Sequence, residues 1–132
     1  MDEILKNLYI ALNGARKQNG VRPCSVNLNL QAAAKRHCDD MFFKGFCDHI
    51  GSDGSDYIAR ARECGFAGVP RGEILVKGPG GVNAIQAVIN AWLGSPGHRE
   101  ILIDSRNMRM GAAYHLKTQT IKGNYWVAVF SY

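Results

Sequence analysis

The chain has 132 residues, which suits one domain and is long enough to bury a hydrophobic core without help from a metal ion. Apolar residues make up 46% and charged residues 20%, an ordinary globular composition that argues against extended disorder. No apolar run is long enough to cross a bilayer, and the N-terminus lacks a basic region followed by an apolar stretch. Neither a membrane span nor a signal peptide is therefore predicted.

The formal net charge is +5, and the basic residues are distributed along the chain rather than gathered in one run. This distribution favours a solvated surface over a nucleic-acid groove, so we expect no nucleic-acid partner. A mild attraction to anionic surfaces such as cell wall or acidic lipid is compatible with it. The scattered bases include Lys6, Arg16, Lys17, Arg36, Arg60, Arg62, Arg71, Arg99, Arg106, Arg109 and Lys122.

The first half of the chain predicts two long helices. The first is indicated by apolar residues at i, i+3, i+4 and i+7, which are Leu5, Leu8, Tyr9 and Leu12. This helix is predicted to end at Gly14 or Gly20. A second helix is predicted to begin at Asn29, an N-cap residue type, and to continue to about Phe43.

The middle of the chain predicts short elements. A helix over residues 57–62, capped by Asp53 or Ser55, is expected to stop at Gly65, and residues 72–76 read as a short apolar strand. The glycine-rich stretch 77–81 lacks the ending of a phosphate-binding loop and is a turn instead. Asn83 is then available to cap a helix whose apolar face is formed by Ile85, Val88, Ile89 and Trp92.

The last third predicts two β-strands. Residues 108–117 alternate between apolar and polar and indicate a half-buried strand, whereas residues 125–130 are apolar on both faces and indicate a central strand. Helices come first and an antiparallel hairpin comes last, so the predicted class is α+β in layers, as one domain over residues 1–132.

Four cysteines, Cys24, Cys38, Cys47 and Cys64, leave three disulfide pairings open. There is no C-x-x-C pair, so a structural zinc site of the usual spacing is disfavoured. In an exported protein we expect at least one disulfide, and a bond from Cys38 to Cys47 would close a short loop beside His49. The alternative is that the cysteines are small buried apolar residues.

Three polar residues are candidates for chemistry. His49 lies in a loop rich in Gly, Ser and Asp, Glu73 opens the short strand, and His98 follows the helix that contains Trp92. Two imidazoles and a carboxylate can hold a divalent metal with an open position, or act as an acid–base set. From spacing alone the three need not meet, and exposed or capping roles are the alternative.

Two other histidines are assigned structural roles. His37 is expected to pack with a hydrogen-bonded ring on the second helix. His115 shares the polar face of its strand with Arg109 and Lys117, so solvent is its expected neighbour.

Taken in order, several pieces of the sequence resemble the CAP superfamily of cysteine-rich secretory, venom-antigen and pathogenesis-related proteins, and its short bacterial branch above all. The resemblance covers essentially the whole chain, and its most specific piece is the block from Trp92 to Arg99. The other matching pieces are residues 13–16, Leu28 and Leu30, His49, residues 53–55, Arg60, residues 65–66, residues 72–75 and residues 110–113.

The resemblance implies a three-layer α–β–α sandwich of the CAP type around a central, mainly antiparallel sheet. His49, Glu73 and His98 match three of the four cleft positions of the family, and the two histidines are expected to hold a divalent metal, with zinc favoured. The fourth position, usually Glu, is Ser95 here, and Ile74 follows Glu73 where the family has Asn. Glu100 is a neighbouring carboxylate that would have to replace the missing acid.

Two functional hypotheses follow. The favoured one is a non-catalytic module, secreted or located in the cell envelope or periplasm, that binds an envelope component, a lipid or a protein as a monomer. A metal would lie between His49 and His98, with Glu73 as third ligand or as the group that orients a ligand. The alternative is a metal-dependent hydrolase, resembling a peptidase, in which His49 and His98 hold zinc and Glu73 is the general base. The missing second acid counts against the hydrolase.

Overall fold

The computed structural model describes residues 1–132 as five α-helices and one four-stranded sheet. The elements in chain order are α1 (Glu3–Gln18), β1 (Ser25–Val26), α2 (Leu28–Lys44), α3 (Tyr57–Glu63), β2 (Pro70–Lys77), α4 (Ala84–Leu93), α5 (Pro96–Leu102), β3 (Arg109–His115) and β4 (Tyr125–Ser131). No helix is long and apolar enough to span a bilayer.

The sheet has the strand order β1-β3-β4-β2. Strands β3 and β2 both pair antiparallel with β4, while the two-residue β1 pairs parallel with β3. All seven residues of β4 are buried, because the strand has neighbours on both sides and helices over both faces. The predictions of a central final strand and of a mainly antiparallel sheet are therefore confirmed.

Side chains that alternate along the strands contribute to two separate cores. On one face Met110, Trp126 and Phe130 pack with the apolar residues of α1 and α4. On the other face Val127 and Val129 pack with those of α2 and α3. This arrangement is the predicted three-layer α–β–α sandwich, and it follows from the period-2 alternation of strand side chains.

Strand β3 is more deeply buried than its sequence predicts. The alternation indicates a half-buried strand, but Gly111 and Ala113, on the face expected to be polar, are buried under α2. A Cβ at Gly111 would collide with the backbone of Leu30 and Gln31, so the absence of a side chain permits this close helix–sheet contact. His115 on the same face is also covered, because its ring stacks on Phe42 with centroids 3.6 Å apart. The expectation that solvent is the neighbour of His115 therefore holds only for the 29% of its side chain that stays exposed.

Several predicted helix boundaries shift by a few residues. Helix α1 continues through Gly14 and ends before Gly20, whose φ of 79° is the left-handed conformation that favours glycine. The N-cap of α2 is Asn27 rather than Asn29, because the Asn27 side chain accepts hydrogen bonds from the first turn. Similarly, α3 is capped by Asp56 instead of Asp53 or Ser55. Asn83 occupies the N-cap position of α4 but makes no side-chain capping bond.

The structure contains no disulfide, and all four cysteines are free thiols. Cys24 and Cys38 are buried in the two cores on opposite faces of the sheet, so they cannot meet. Cys47 is exposed and Cys64 is partly buried at the end of α3. Burial and neighbouring negative charge raise the pKa of the Cys38 thiol, which behaves as a small apolar side chain here.

Candidate functional site

His49 lies in the loop of residues 45–56, which joins α2 to α3. Two buried side chains, those of Arg60 and His37, contact the backbone carbonyl oxygens of this loop. Arg60 on α3 donates from Nη2 to the carbonyl oxygen of His49 at 3.0 Å and from Nη1 to that of Ser55 at 2.7 Å. His37 on α2 lies within 2.6 Å of the carbonyl oxygen of Asp48 through its Nε2. The backbone on both sides of His49 is therefore fixed, although the His49 side chain itself is 53% exposed.

Glu73 is a buried carboxylate on β2, where it pairs in register with Val129 of the central strand. Its Oε1 accepts a hydrogen bond from Nδ1 of His49 at 2.9 Å, and its Oε2 accepts one from Nη2 of Arg60, also at 2.9 Å. A carboxylate removed from water requires such partners. Because the Arg60 side chain is only 2% exposed, this ion pair is shielded from solvent on both sides.

The Glu73 contact defines which nitrogen of His49 is available. A carboxylate accepts hydrogen bonds, so Nδ1 of His49 carries the proton and Nε2 is left for solvent, a ligand or a metal. The hydrogen bond to Glu73 raises the pKa of His49, an effect that burial partly opposes. A carboxylate behind the imidazole is the arrangement that orients histidine ligands in metal sites.

His98 is located on α5, the short helix that follows the one containing Trp92. Pro96 occupies the first turn of this short helix, where a missing N–H costs nothing, and Ser95 is at its N-cap position. Burial, and then the charge of His49, lower the pKa of His98. No hydrogen bond joins His98 to His49 or to Glu73, whose own contact with His49 is 2.9 Å.

The three predicted residues do not form a three-ligand metal centre. No group of three or more His, Cys, Asp or Glu side chains in the chain is arranged to hold a metal ion. The structure instead provides His49 with Glu73 behind it, engaged through both of its oxygens, while His98 takes no part in these hydrogen bonds. Glu100, the carboxylate considered as a replacement acid, is exposed on α5.

Sequence reasoning assigned the wrong environment to Arg60. Arg60 belongs to the bases interpreted as a solvated surface, yet it is 1% exposed and ties Glu73 to the His49 loop. In the structure Arg60 and Ala61 face inward on α3 while Arg62 is exposed, and no local feature of the sequence distinguishes the two arginines. The hydrogen-bonded packing role predicted for His37 agrees with its complete burial and its contact to Asp48.

The layered α–β–α sandwich around a four-stranded sheet agrees with the resemblance of the sequence to the CAP superfamily. The profile of the CAP, or cysteine-rich secretory protein, family matches residues 9–130. The chain belongs to this family.

Relatives of this chain agree with the assignment. The uncharacterized protein YkwD of Bacillus subtilis (strain 168) is 24% identical over 109 residues, which is 83% of this chain but only 41% of YkwD. An outer surface protein of Borrelia burgdorferi superposes with a TM-score of 0.80 at 23% identity, over 98% of this chain and 94% of its own. An extracellular protein of Bacillus anthracis that contains an SCP domain has a TM-score of 0.77 at 15% identity, over 96% of this chain and 39% of its own.

Proposed function

We propose that the chain is an exported binding module whose His49–His98 pair can hold a divalent metal ion, zinc in the first instance. The observation that carries the proposal is the occupation of both Glu73 oxygens by His49 and Arg60. Export is supported by relatives that are an outer surface protein and an extracellular protein. The bound partner would be an envelope component, a lipid or a protein, and a monomeric state stays a prediction.

The two imidazole side chains, His49 and His98, suit a metal ion that is held by two protein ligands. Nε2 of His49 is free because Nδ1 is bound to Glu73, and imidazole nitrogen is a preferred ligand of zinc. Glu73 would keep the His49 ring in the correct tautomer and orientation without itself binding the ion. A bound metal would supply Lewis acidity, and its remaining coordination positions would be open to water or to a group on the partner.

The same geometry disfavours the metal-dependent hydrolase. A general base must accept a proton from water, but Glu73 would first have to release His49 or leave the buried Arg60 charge without a partner. Ser95 cannot replace the second acid, and Glu100 is exposed on α5. We therefore place His49 and His98 in metal binding and Glu73 in orientation, with no catalytic step.

Zinc titration by calorimetry tests the proposal on wild type, His49→Ala, His98→Ala and the double variant. We expect one-to-one binding that each single variant weakens and the double variant abolishes. His115→Ala is the matched control, since that histidine lies against Phe42 on the α2 side of β3. Absence of binding to wild type would overturn the metal proposal, and zinc-dependent peptide hydrolysis lost in Glu73→Gln would favour the hydrolase.

A further inference from the structure

The last residues of β3 form an outer edge of the sheet, and the backbone groups that face outward there differ in what they contact. The carbonyl oxygen of Met110 accepts a hydrogen bond from the N–H of Asn27, just after β1, at 2.8 Å. The N–H of Ala112 donates to the hydroxyl oxygen of Tyr9, also at 2.8 Å. Because outward-facing residues alternate along a strand, Tyr114 is the next, and neither its N–H nor its carbonyl oxygen has a partner in the protein. The edge of β3 is therefore unpaired from Tyr114 onwards.

A groove of about 380 Å³ lies against this unpaired edge. Residues 112–116 line one side of it, while its walls come from the N-terminal turn of α1 and from one face of α2. The wall residues are Asp2, Leu5, Gln31, Lys35 and Asp39. The groove opens to solvent, because Asp2 and Lys35 are exposed and Tyr114 is only partly buried. Its volume lies within the range of roughly 300–1,000 Å³ in which ligand sites are found.

The unpaired backbone groups indicate what would occupy the groove. Tyr114 offers one donor and one acceptor in the plane of the sheet, and a neighbouring strand about 4.8 Å away provides the matching carbonyl oxygen and N–H. Strand addition to a sheet edge uses these groups and depends little on the sequence of the added peptide. The walls from α1 and α2 stand on both sides of the edge, so a single extended chain can reach Tyr114 whereas the edge of a second folded sheet cannot.

The lining carries more acidic than basic side chains. Asp39 is neutralised by Lys35, whose Nζ lies 2.6 Å from the Asp39 carboxylate. Asp2 accepts a hydrogen bond from the N–H of Leu5 at 2.7 Å and forms no ion pair. Its charge is therefore available to a cationic partner, and the lining favours a peptide that alternates apolar and basic side chains. The apolar contact area comes from Leu5, Tyr114 and Leu116.

We propose that the β3 edge binds an extended segment of a partner protein by strand addition. The segment pairs with the backbone of Tyr114 and presents a basic side chain to Asp2. The paired stretch is short, because the hydroxyl of Tyr9 closes the edge at Ala112. The site goes beyond the proposed metal-binding function and is independent of it, since no ligand of the proposed metal lines the groove.

NMR titration of the ¹⁵N-labelled chain with the acetylated, amidated hexapeptide KVKVKV tests strand addition. We expect saturable shifts at residues 112–116 and a downfield shift of the Tyr114 amide proton as it gains an acceptor. The same peptide N-methylated at its four central residues lacks the donors of both edges and should cause no such shifts. Before peptide is added, the Tyr114 amide should exchange with solvent faster than that of Ala113, which pairs with Val127 of β4.

Asp2→Asn tests the charge of the groove. Asparagine caps a helix as well as aspartate does, so the variant keeps the start of α1 and removes only the negative charge. We expect it to bind KVKVKV about two- to fivefold more weakly, the scale of one exposed ion pair. Glu3→Gln is the matched control, because it removes an exposed acid that lies outside the groove, and it should bind as wild type does.

Four results would overturn the strand-addition site. The first is the absence of saturable shifts at residues 112–116 with KVKVKV at high millimolar concentration. The second is equal binding of the N-methylated peptide. The third is a Tyr114 amide that is protected without peptide or shifts with protein concentration, which would assign the edge to the protein itself or to a second copy. The fourth is equal binding by wild type and Asp2→Asn. Zinc titration is read separately, so its failure would leave this site intact.

Discussion

Arg16 and Arg60 are both almost completely buried, but their partners differ. Arg16 on α1 donates only to main-chain carbonyl oxygens, those of Arg22, Leu102, Asp104 and Asn107. Arg60 on α3 donates to the carbonyl oxygens of His49 and Ser55 and also to a carboxylate, Glu73.

This difference separates a structural arginine from one that supports a site. Carbonyl oxygens are neutral and fixed, so Arg16 joins α1 to the segment between α5 and β3 and has no link to an ionisable group in the cleft. Arg60 neutralises a carboxylate whose other oxygen holds an exposed imidazole. A change at Arg16 should therefore alter stability alone, whereas a change in the Arg60–Glu73 pair should alter stability and the chemistry of His49.

The largest loss of stability is expected from Arg16→Met. Removing the guanidinium leaves several buried carbonyl oxygens without donors, and the free energy of unfolding should fall by about 4 kcal/mol. Urea denaturation measures this loss, with Lys17→Met, an exposed neighbour on α1, as the matched control. Arg16→Lys retains the charge and should recover part of the loss. A loss below about 1 kcal/mol would contradict the structural role assigned to Arg16.

Glu73→Gln should have a smaller effect on stability but a direct one on the site. The amide can still accept from His49, yet the Arg60 charge stays buried without a counterion, which we expect to cost about 3 kcal/mol. Zinc affinity should fall roughly tenfold, since the charged partner behind the ligating imidazole is lost. Denaturation and calorimetry measure the two effects, and Arg62→Met, which removes an exposed arginine of α3, is the control. Unchanged zinc affinity in Glu73→Gln would show that Glu73 does not orient His49.

The pH dependence of the unfolding free energy should further distinguish the surroundings of Arg60 and Glu73 from those of Arg16. Because Glu73 raises the pKa of His49, the contact stabilises the fold fully below the pKa of unfolded histidine. This contribution is lost as the pH rises through the higher, folded pKa of His49. The difference in unfolding free energy between wild type and Glu73→Gln should therefore shrink over that window, and Arg16→Met should follow the wild-type profile. A constant difference across the window would contradict the His49–Glu73 contact.

The smallest effect is expected at Asp104→Asn. Arg16 contacts the carbonyl oxygen of Asp104, whereas the side chain of Asp104 pairs with the exposed Arg106, a contact that lowers the pKa of this carboxyl group. Loss of such a pair should cost less than about 1 kcal/mol in a denaturation experiment. A loss as large as that of Glu73→Gln would mean that Arg16 depends on a carboxylate after all, and the contrast between the two arginines would fail.

Features that depend on local spacing were predictable from the sequence. The apolar face of α1 and the fully apolar β4 follow from periodicity, and the layered fold follows from the order of the elements. The resemblance to the CAP superfamily supplied the three site residues, which dispersed positions alone could not have joined. The sequence predicted Asn29 as the N-cap of α2, whereas the structure has Asn27. The two asparagines are only two positions apart and are equally suited to capping, so the residue type could not decide between them.

The burial of the residues around the site could not be predicted from local sequence patterns. Whether an arginine is buried depends on partners far along the chain, such as Glu73 for Arg60 and Leu102 for Arg16. The burial of β3 under α2 was unpredictable for the same reason. The close approach of α2 to Gly111 is evident only once the fold is known. That Cys24 and Cys38 cannot pair follows from their burial in different cores, which requires the sheet between them to be known.

The most direct test of the role assigned to Glu73 is an NMR titration of the histidine rings in wild type and Glu73→Gln. We predict that the pKa of His49 lies above that of an unperturbed histidine and that of His98 lies below it, and that Glu73→Gln lowers the pKa of His49. A His49 that titrates as an unperturbed histidine and is indifferent to Glu73→Gln would contradict the claim that Glu73 orients it.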